Sequence, residues 1–237
     1  LIGDIMVMKR LMAPEFWPIE RKTKKFVVEP LPGPYSKDSC LPLGVVLRDI
    51  LHYARNMNEV KILLNQGAVK VNGIPRKEPG FGVGLMDVVG IGDEHYRMVP
   101  TKHGLRLRKI DKNESGIRLL RLQNKRVVKK GKVQLNFHDG RNILIEKNNY
   151  KTGDVFVFDF NESKIKNVIS FEKGILAIVV RGNNIGSIGK IEDILVTKSP
   201  MENQVVIDLG MRKITLPKSY IFAVGKTEPV ISLGETL

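Results

Sequence analysis

The side chains best able to carry covalent or metal chemistry in this 237-residue chain are four histidines, His52, His95, His103 and His138, and one cysteine, Cys40. No two histidines have the His-x-x-x-His spacing that puts both imidazoles on one helix face, and a lone thiol supplies neither a zinc-thiolate cluster nor an internal disulfide. His138 precedes Asp139-Gly140, which reads as a turn pair rather than an acid–base pair, since proton transfer requires geometry first. Two Gly-rich stretches imitate phosphate loops. Pro79-Gly80-Phe81-Gly82-Val83-Gly84 lacks a following helix and is read as a tight loop. Gly189-Lys190 is followed by Ile191 where Ser or Thr would have to hold magnesium. No cofactor and no metal are expected, and the residues do not read as an enzyme's.

What remains is charge. Lys and Arg number 39 against 25 Asp and Glu, a formal net charge of +14, which points to a polyanionic partner. The surplus is not spread evenly. Residues 101–170 hold 17 Lys and Arg against 7 Asp and Glu, so most of it lies in the middle of the chain and not in a tail. A phosphate backbone tracked by a folded surface calls for this arrangement; a merely solubilising surface does not need to concentrate one sign. With 42% hydrophobic and 27% charged residues the chain can bury a core. No apolar run is long enough to span a bilayer, so no membrane is expected. The opening Leu1 to Met8 is apolar but carries Asp4 and lacks a charged start and a cleavage site, so it is not read as a signal peptide. A single cysteine suits a reducing, cytoplasmic setting.

The cations need elements to hold them. Residues 1–42 read as an arm and connector, with Lys9-Arg10, Arg21-Lys22 and Lys24-Lys25 interleaved with Phe16-Trp17 and Phe26-Val27-Val28; its prolines forbid a long helix. Phe16 or Trp17 could stack on a base, but large aromatics are usually buried, so Trp17 is expected to anchor the arm. Residues 43–100 open with a helical stripe, Leu43, Val46, Leu47, Ile50, Leu51 and Ala54. A second helix starts at Asn56, capped from its own side chain with Glu59 reaching back, and stops at Gly67. Val69-Lys70-Val71 then turns at Asn72-Gly73, the pair suited to a type I′ hairpin, and a further strand is expected over Met86 to Val89.

Residues 101–170 become predominantly period two. A short helical patch is expected at Ile117 to Arg126, then a basic turn, a strand Val133 to Phe137, a hairpin at Asp139-Gly140, and a strand Val155 to Phe158, together a small barrel. Residues 171–237 carry strands Ile175 to Val180 and Ser187 to Ile191 around the Gly-rich loop Arg181 to Gly186. Gln204 to Ile207 and Arg212 to Leu216 extend that second barrel, and Tyr220 to Lys226 would close it.

Helix, capped helix, Gly, Val-Lys-Val-Asn-Gly and a later Asp-Val-Val resemble the S4 RNA-binding domain, and the 175–191 strand–loop–strand resembles the KOW motif of SH3-like barrels. Lys9-Arg10-Leu11-Met12-Ala13-Pro14 before Trp17, Pro32-Gly33-Pro34, Cys40-Leu41-Pro42-Leu43, Met86-Asp87-Val88, His138-Asp139-Gly140-Arg141 and Arg181-Gly182-Asn183-Asn184 follow in order. Together they resemble the e-type small-subunit ribosomal protein four family of archaea and eukaryotes. The resemblance implies an α+β, multi-domain chain: an S4 module of two helices and a hairpin, a β-rich central domain and a KOW barrel. It also implies a non-catalytic, cytoplasmic ribosomal component, a monomer within the ribosome, bound to small-subunit ribosomal RNA and neighbouring ribosomal proteins.

Two departures bear on the interface. The apolar opening replaces the basic start usual in the family, and Asn56-Met57 stand where S4 modules commonly carry Ser-Arg. The rival classes are an RNA-modifying enzyme with an S4 handle and a KOW-type transcription or translation factor. Neither explains the basic centre as directly. The expected phosphate contacts are Lys9, Arg10, Arg21 and Lys22 in the arm, and Lys61, Lys70, Arg76 and Lys77 in the S4 module. In the centre they are Arg106, Arg108, Arg118, Arg121, Lys125, Arg126, Lys129, Lys130, Lys132 and Arg141. Arg181, Asn183, Asn184 and Lys190 would form a second patch at the Gly-rich loop.

Overall fold

A computed structural model describes residues 6–128, 131–146, 149–160, 162–210 and 212–233. The chain forms two compact units, one of Leu1–Val99 with Leu105–Gly116, the other of Pro100–Gly104 with Ile117–Leu237. The architecture is β-rich with few helices.

In the first unit the arm is a packed element. Val7–Lys9 pairs antiparallel with Phe26–Val28. Trp17 is buried, and its indole N–H donates to the Cys40 carbonyl at 3.1 Å, so it anchors the arm as its size suggests. Leu43, Val46 and Leu47 are fully buried in one apolar cluster with Val60, Leu64, Val69 and Val89. The helix expected through Ala54 is shorter and irregular: an α turn at Leu43–Val45 widens into a π-helix at Val46–Ile50, and His52 ends it at φ 57°.

The second helix, Met57–Asn65, is capped as expected at its start, the Asn56 Oδ1 accepting the Glu59 N–H at 2.9 Å. The Glu59 carboxylate, however, reaches the Arg55 N–H at 2.7 Å and the Asn56 side-chain amide at 2.9 Å, one residue beyond the usual capping-box target. Asn72 and Gly73 both take positive φ, 53° and 78°, as a type I′ hairpin demands. The expected Met86–Val89 strand starts later, at Val88–Ile91, because Met86 itself has φ 63°. Asp87 explains that turn. Its buried carboxylate accepts the Gly84 N–H and the Asn72 amide, each at 2.7 Å, and the Tyr35 hydroxyl at 3.1 Å. Part of the Pro79–Gly84 stretch is also strand rather than loop, Gly82–Gly84 pairing with Cys40–Pro42.

In the second unit the order of the first sheet is Asn142–Ile145, Val133–Phe137, Ile117–Val127, Val155–Asp159, Lys164–Ile169. Its end strands do not pair with each other, so the central strands form a sheet where a small barrel was expected. The helical patch expected at 117–126 is an eleven-residue strand. Leu and Arg favour helix locally, but Ile117–Arg121 pairs with Val155–Asp159 and Leu122–Val127 with Val133–Phe137, and tertiary pairing overrides the propensity. Leu120, Leu122, Leu135, Phe137 and Phe156 fill the core of this sheet, with the Phe137 and Phe156 rings edge to face at 5.1 Å.

The second sheet is a meander, Leu176–Val179, Ile188–Leu195, Gln204–Asp208 and Lys213–Pro217, after which Ile221–Gly225 returns to pair with Leu176–Val179. The final strand therefore adds to the first strand of the meander rather than to the fourth.

Candidate nucleic-acid interface

Folding sorts the expected cations into those turned to solvent and those used inside the protein. In the first unit Lys9, Lys22, Lys70 and Lys77 are exposed and Lys61 is half-buried, and none makes an ion pair with a described residue. Lys9 and Lys70 are placed by strand alternation and Lys61 by helix geometry, while Lys22 and Lys77 lie in irregular segments. Lys70, for example, points out of a strand whose neighbours Val69 and Val71 point in.

Arg10 is a correction. It is only 3% exposed, held by Asp49 at 3.2 Å and by the Glu20 carbonyl, so it is a buried strut and not a displayed charge. Arg21 clamps the arm, donating to the Ala13 and Pro14 carbonyls at 2.8 Å each. Arg106 donates to the Phe16 carbonyl at 2.7 Å, and burial lowers its pKa. Arg76 lies over the Phe81 ring at 4.4 Å. Arg108 is half-buried.

In the second unit Arg126 and Lys132 are exposed, Lys132 lying 4.0 Å from Glu146. Lys129 and Lys130 lie outside the described residues. Arg118 is the clearest correction: its side chain is 1% exposed and donates to Asp139 at 2.7 Å. Arg141 lies 3.2 Å from the same carboxylate and faces the Phe158 and Phe160 rings. Lys125 donates to the Tyr150 carbonyl at 2.7 Å. Arg121 donates to the Ser219 and Ile221 carbonyls at 2.9 and 3.1 Å, and burial, reinforced by the nearby Arg181, lowers its pKa to about 10.

At the Gly-rich loop Arg181, Asn183 and Lys190 are exposed, and Gly182 and Gly186 take φ 88° and 83°. Asn184 accepts from Arg212 at 2.5 Å, which brings to this loop a cation the sequence reading did not select. Lys24 and Lys25 are likewise exposed and unselected, although their place among the arm's basic pairs was a usable signal. Among the described residues no group of three or more His, Cys, Asp or Glu side chains is arranged to hold a metal ion. No described helix is long and apolar enough to cross a membrane. What the described residues offer is a set of charges displayed on strands, a helix and the segments between them, suited to ionic contact with phosphates.

Comparison with known families agrees with this geometry. The RS4NT domain model matches residues 7–38, the S4 domain model 42–89, and the model of ribosomal family S4e 92–165. Small ribosomal subunit protein eS4 of Methanothermobacter thermautotrophicus is 44% identical over 231 residues, covering 95% of each chain. That of Ignicoccus hospitalis is 40% identical over 242 residues, covering 96% of this chain and 94% of its own. The crystal structure of 30S ribosomal protein S4e from Thermoplasma acidophilum superposes with a TM-score of 0.71 at 29% identity, over 80% of this chain and 97% of that one. Similarity of this extent, carried through arm, hairpin domain and central sheet alike, places the chain in the small ribosomal subunit protein eS4 family.

Proposed function

We propose that this chain is a structural, non-catalytic constituent of the small ribosomal subunit that binds ribosomal RNA through its basic surfaces. It acts in the cytoplasm, as a single copy per ribosome, beside neighbouring ribosomal proteins. The observation that carries this reading is the set of exposed cations without a described acidic partner, Lys9, Lys22, Lys70, Lys77, Arg126, Arg181 and Lys190, displayed on strands and turns. Cations so held meet a fixed array of phosphates with little further loss of chain entropy. Arg10 and Arg118 are omitted because their charges are already neutralised inside the protein.

The same reading divides the chain into an arm and connector at 1–42, an S4 module at 43–100, a basic β-rich domain at 101–170 and a KOW-type SH3-like barrel at 171–237. The meander of four strands with a returning fifth supports the last of these, and Arg181, Asn183 and Lys190 at its Gly-rich loop are its proposed contacts. Co-sedimentation tests the whole: the protein travels with small subunits in a sucrose gradient. Distribution with RNA polymerase instead, or new modified nucleosides after incubation with RNA, would defeat the reading.

A further inference from the structure

Three buried guanidiniums of this protein are met by carboxylates, whereas half-buried Arg121, like Arg21 and Arg106, is met by backbone carbonyls. Arg10 meets Asp49, Arg97 meets Glu114 and Arg118 meets Asp139. Arg121 donates to the carbonyls of Ser219 and Ile221 and lies 5.8 Å from the centre of the Phe222 ring; it makes no ion pair with a described carboxylate, although the charge of Glu202 favours its protonated form. Its Nη1 is occupied by those bonds, whereas Nε and Nη2 donate to no described residue. At Arg121 burial outweighs the opposing charge of Glu202, and the remaining cost of desolvation falls when a further anion arrives.

Arg121 lines a cavity of about 330 Å³ together with Thr152, Gly153, Glu202, Lys218 and Ser219. Lys218 is aimed there by construction. Its ammonium donates to the Thr152 carbonyl and lies 5.1 Å from the centre of the Phe171 ring. Its stem crosses Gly153 so closely that a Cβ there would stand 2.7 Å from Lys218 Cε, and Gly153 has φ 101°. The one lining carboxylate, Glu202, accepts the Ser219 hydroxyl at 2.6 Å. Arg121 and Lys218 thus bring two positive charges to a cleft lined by one carboxylate, with buried Asp154 near Lys218 as a second negative charge. Burial lowers the Lys218 pKa, Asp154 opposes this, and Arg121 and Lys151 push it the same way as burial. Arg181, near Arg121, and Lys151, near Lys218, extend the positive charge past the cleft, as suits a chain of phosphates better than an isolated carboxylate.

We propose that the Arg121–Lys218 cleft seats one backbone phosphate of the bound RNA, with the free edge of the Arg121 guanidinium and the Lys218 ammonium as its donors. This deepens the RNA-binding reading above and rests on it. A phosphodiester has one charge and two free oxygens, which match a guanidinium edge and an ammonium side by side.

The test uses the full-length protein and a small-subunit ribosomal RNA fragment carrying single ethylated phosphates, comparing the unaltered protein with Lys218→Met, Gly153→Ala and Arg126→Met, each checked for folding by circular dichroism. Unaltered protein loses affinity at one particular ethylated phosphate. Lys218→Met weakens binding of the unmodified RNA about tenfold, lowers the salt slope by about one and becomes indifferent to ethylation at that phosphate. Gly153→Ala, which displaces Lys218, does the same, whereas Arg126→Met keeps the sensitivity. If the unaltered protein binds the RNA and Lys218→Met and Gly153→Ala bind it with unchanged slope and unchanged ethylation pattern, the cleft is overturned while the general reading survives. If the unaltered protein does not bind RNA, both fall. Shifts of the Gly153 and Ser219 amide resonances with poly-glutamate but not with RNA would assign the cleft to an acidic protein segment and overturn the proposal.

Discussion

The Arg118 guanidinium donates to Asp139 at 2.7 Å, with only 1% and 3% of the two side chains exposed, so a residue that reads in sequence as a phosphate contact closes a turn inside the β-rich unit. Asp139 also accepts the Arg141 N–H at 3.0 Å, which ties the pair to the turn after Val133–Phe137. Asp139→Asn removes the carboxylate that the buried Arg118 guanidinium pairs with and should cost about 3–5 kcal/mol, whereas Arg118→Met should cost less, because Arg141 still lies 3.2 Å from Asp139. The double variant should cost clearly less than the sum of the singles. Urea unfolding of all three proteins gives the cycle, and additive losses would mean that the two groups do not act as a pair.

Displayed and buried cations should separate in RNA binding. Lys70→Ala and Lys77→Ala should each flatten the dependence of log affinity on log salt by about 0.7–0.9, because each removes one neutralised phosphate. Arg118→Met, measured at a temperature where it stays folded, should leave that slope unchanged. Filter-binding titrations at several salt concentrations decide it; an effect of Arg118→Met as large as that of Lys70→Ala would return Arg118 to the interface.

The start of the Met57–Asn65 helix depends on the Asn56 side chain. Asn56→Ala should cost about 1 kcal/mol in urea unfolding, and Asn56→Ser considerably less, since serine can also accept from the third residue of the helix. Equal losses for the two would show that the cap is not the source of the effect.

Glu94 should make stability acid-sensitive. Its carboxylate accepts from Lys109, from the Tyr53 hydroxyl and from the Tyr96 hydroxyl, and these hydrogen bonds, led by Lys109, lower its pKa from 4.5 to about 2. A carboxylate whose folded pKa is depressed stabilises the protein fully above its unfolded pKa, and the contribution is lost as pH falls toward the folded value. The melting temperature should therefore drop between about pH 4.5 and 2 more steeply in the unaltered protein than in Glu94→Gln. Parallel curves for the two proteins would exclude the cluster as the cause.

Cys40 should be chemically silent while the protein is folded. It is 1% exposed, and burial, with smaller contributions from Asp87 and Asp38, raises its thiol to about 12, far above the pH at which a thiolate forms in a free cysteine. Iodoacetamide should label it only at the rate of unfolding, and Trp17→Ala, which removes the indole bonded to the Cys40 carbonyl, should accelerate labelling. Rapid labelling of folded protein at pH 8 would contradict this burial.

How much of this was legible in the sequence depends on the range of the interaction involved. The Asn56 cap, the Asn72-Gly73 turn, the alternation of Val69-Lys70-Val71 and the strand Val133–Phe137 are settled by neighbours a few residues apart, so residue types and spacing determined them. Net charge and its concentration in 101–170 are additive properties of composition and were equally fixed. Ile117–Val127 reads as helical because its Leu and Arg residues favour helix locally, while pairing with Val133–Phe137 on one side and Val155–Asp159 on the other imposes extension. Which arginines face solvent was likewise decided only by tertiary structure. Arg10 and Asp49, or Arg118 and Asp139, are distant in sequence, and Arg121 and Lys218 share a cleft across nearly a hundred residues. A cation carries the same letter whether it waits for a phosphate or is spent on a buried carboxylate. Only folding, by weighing desolvation against a partner brought close, separates the two.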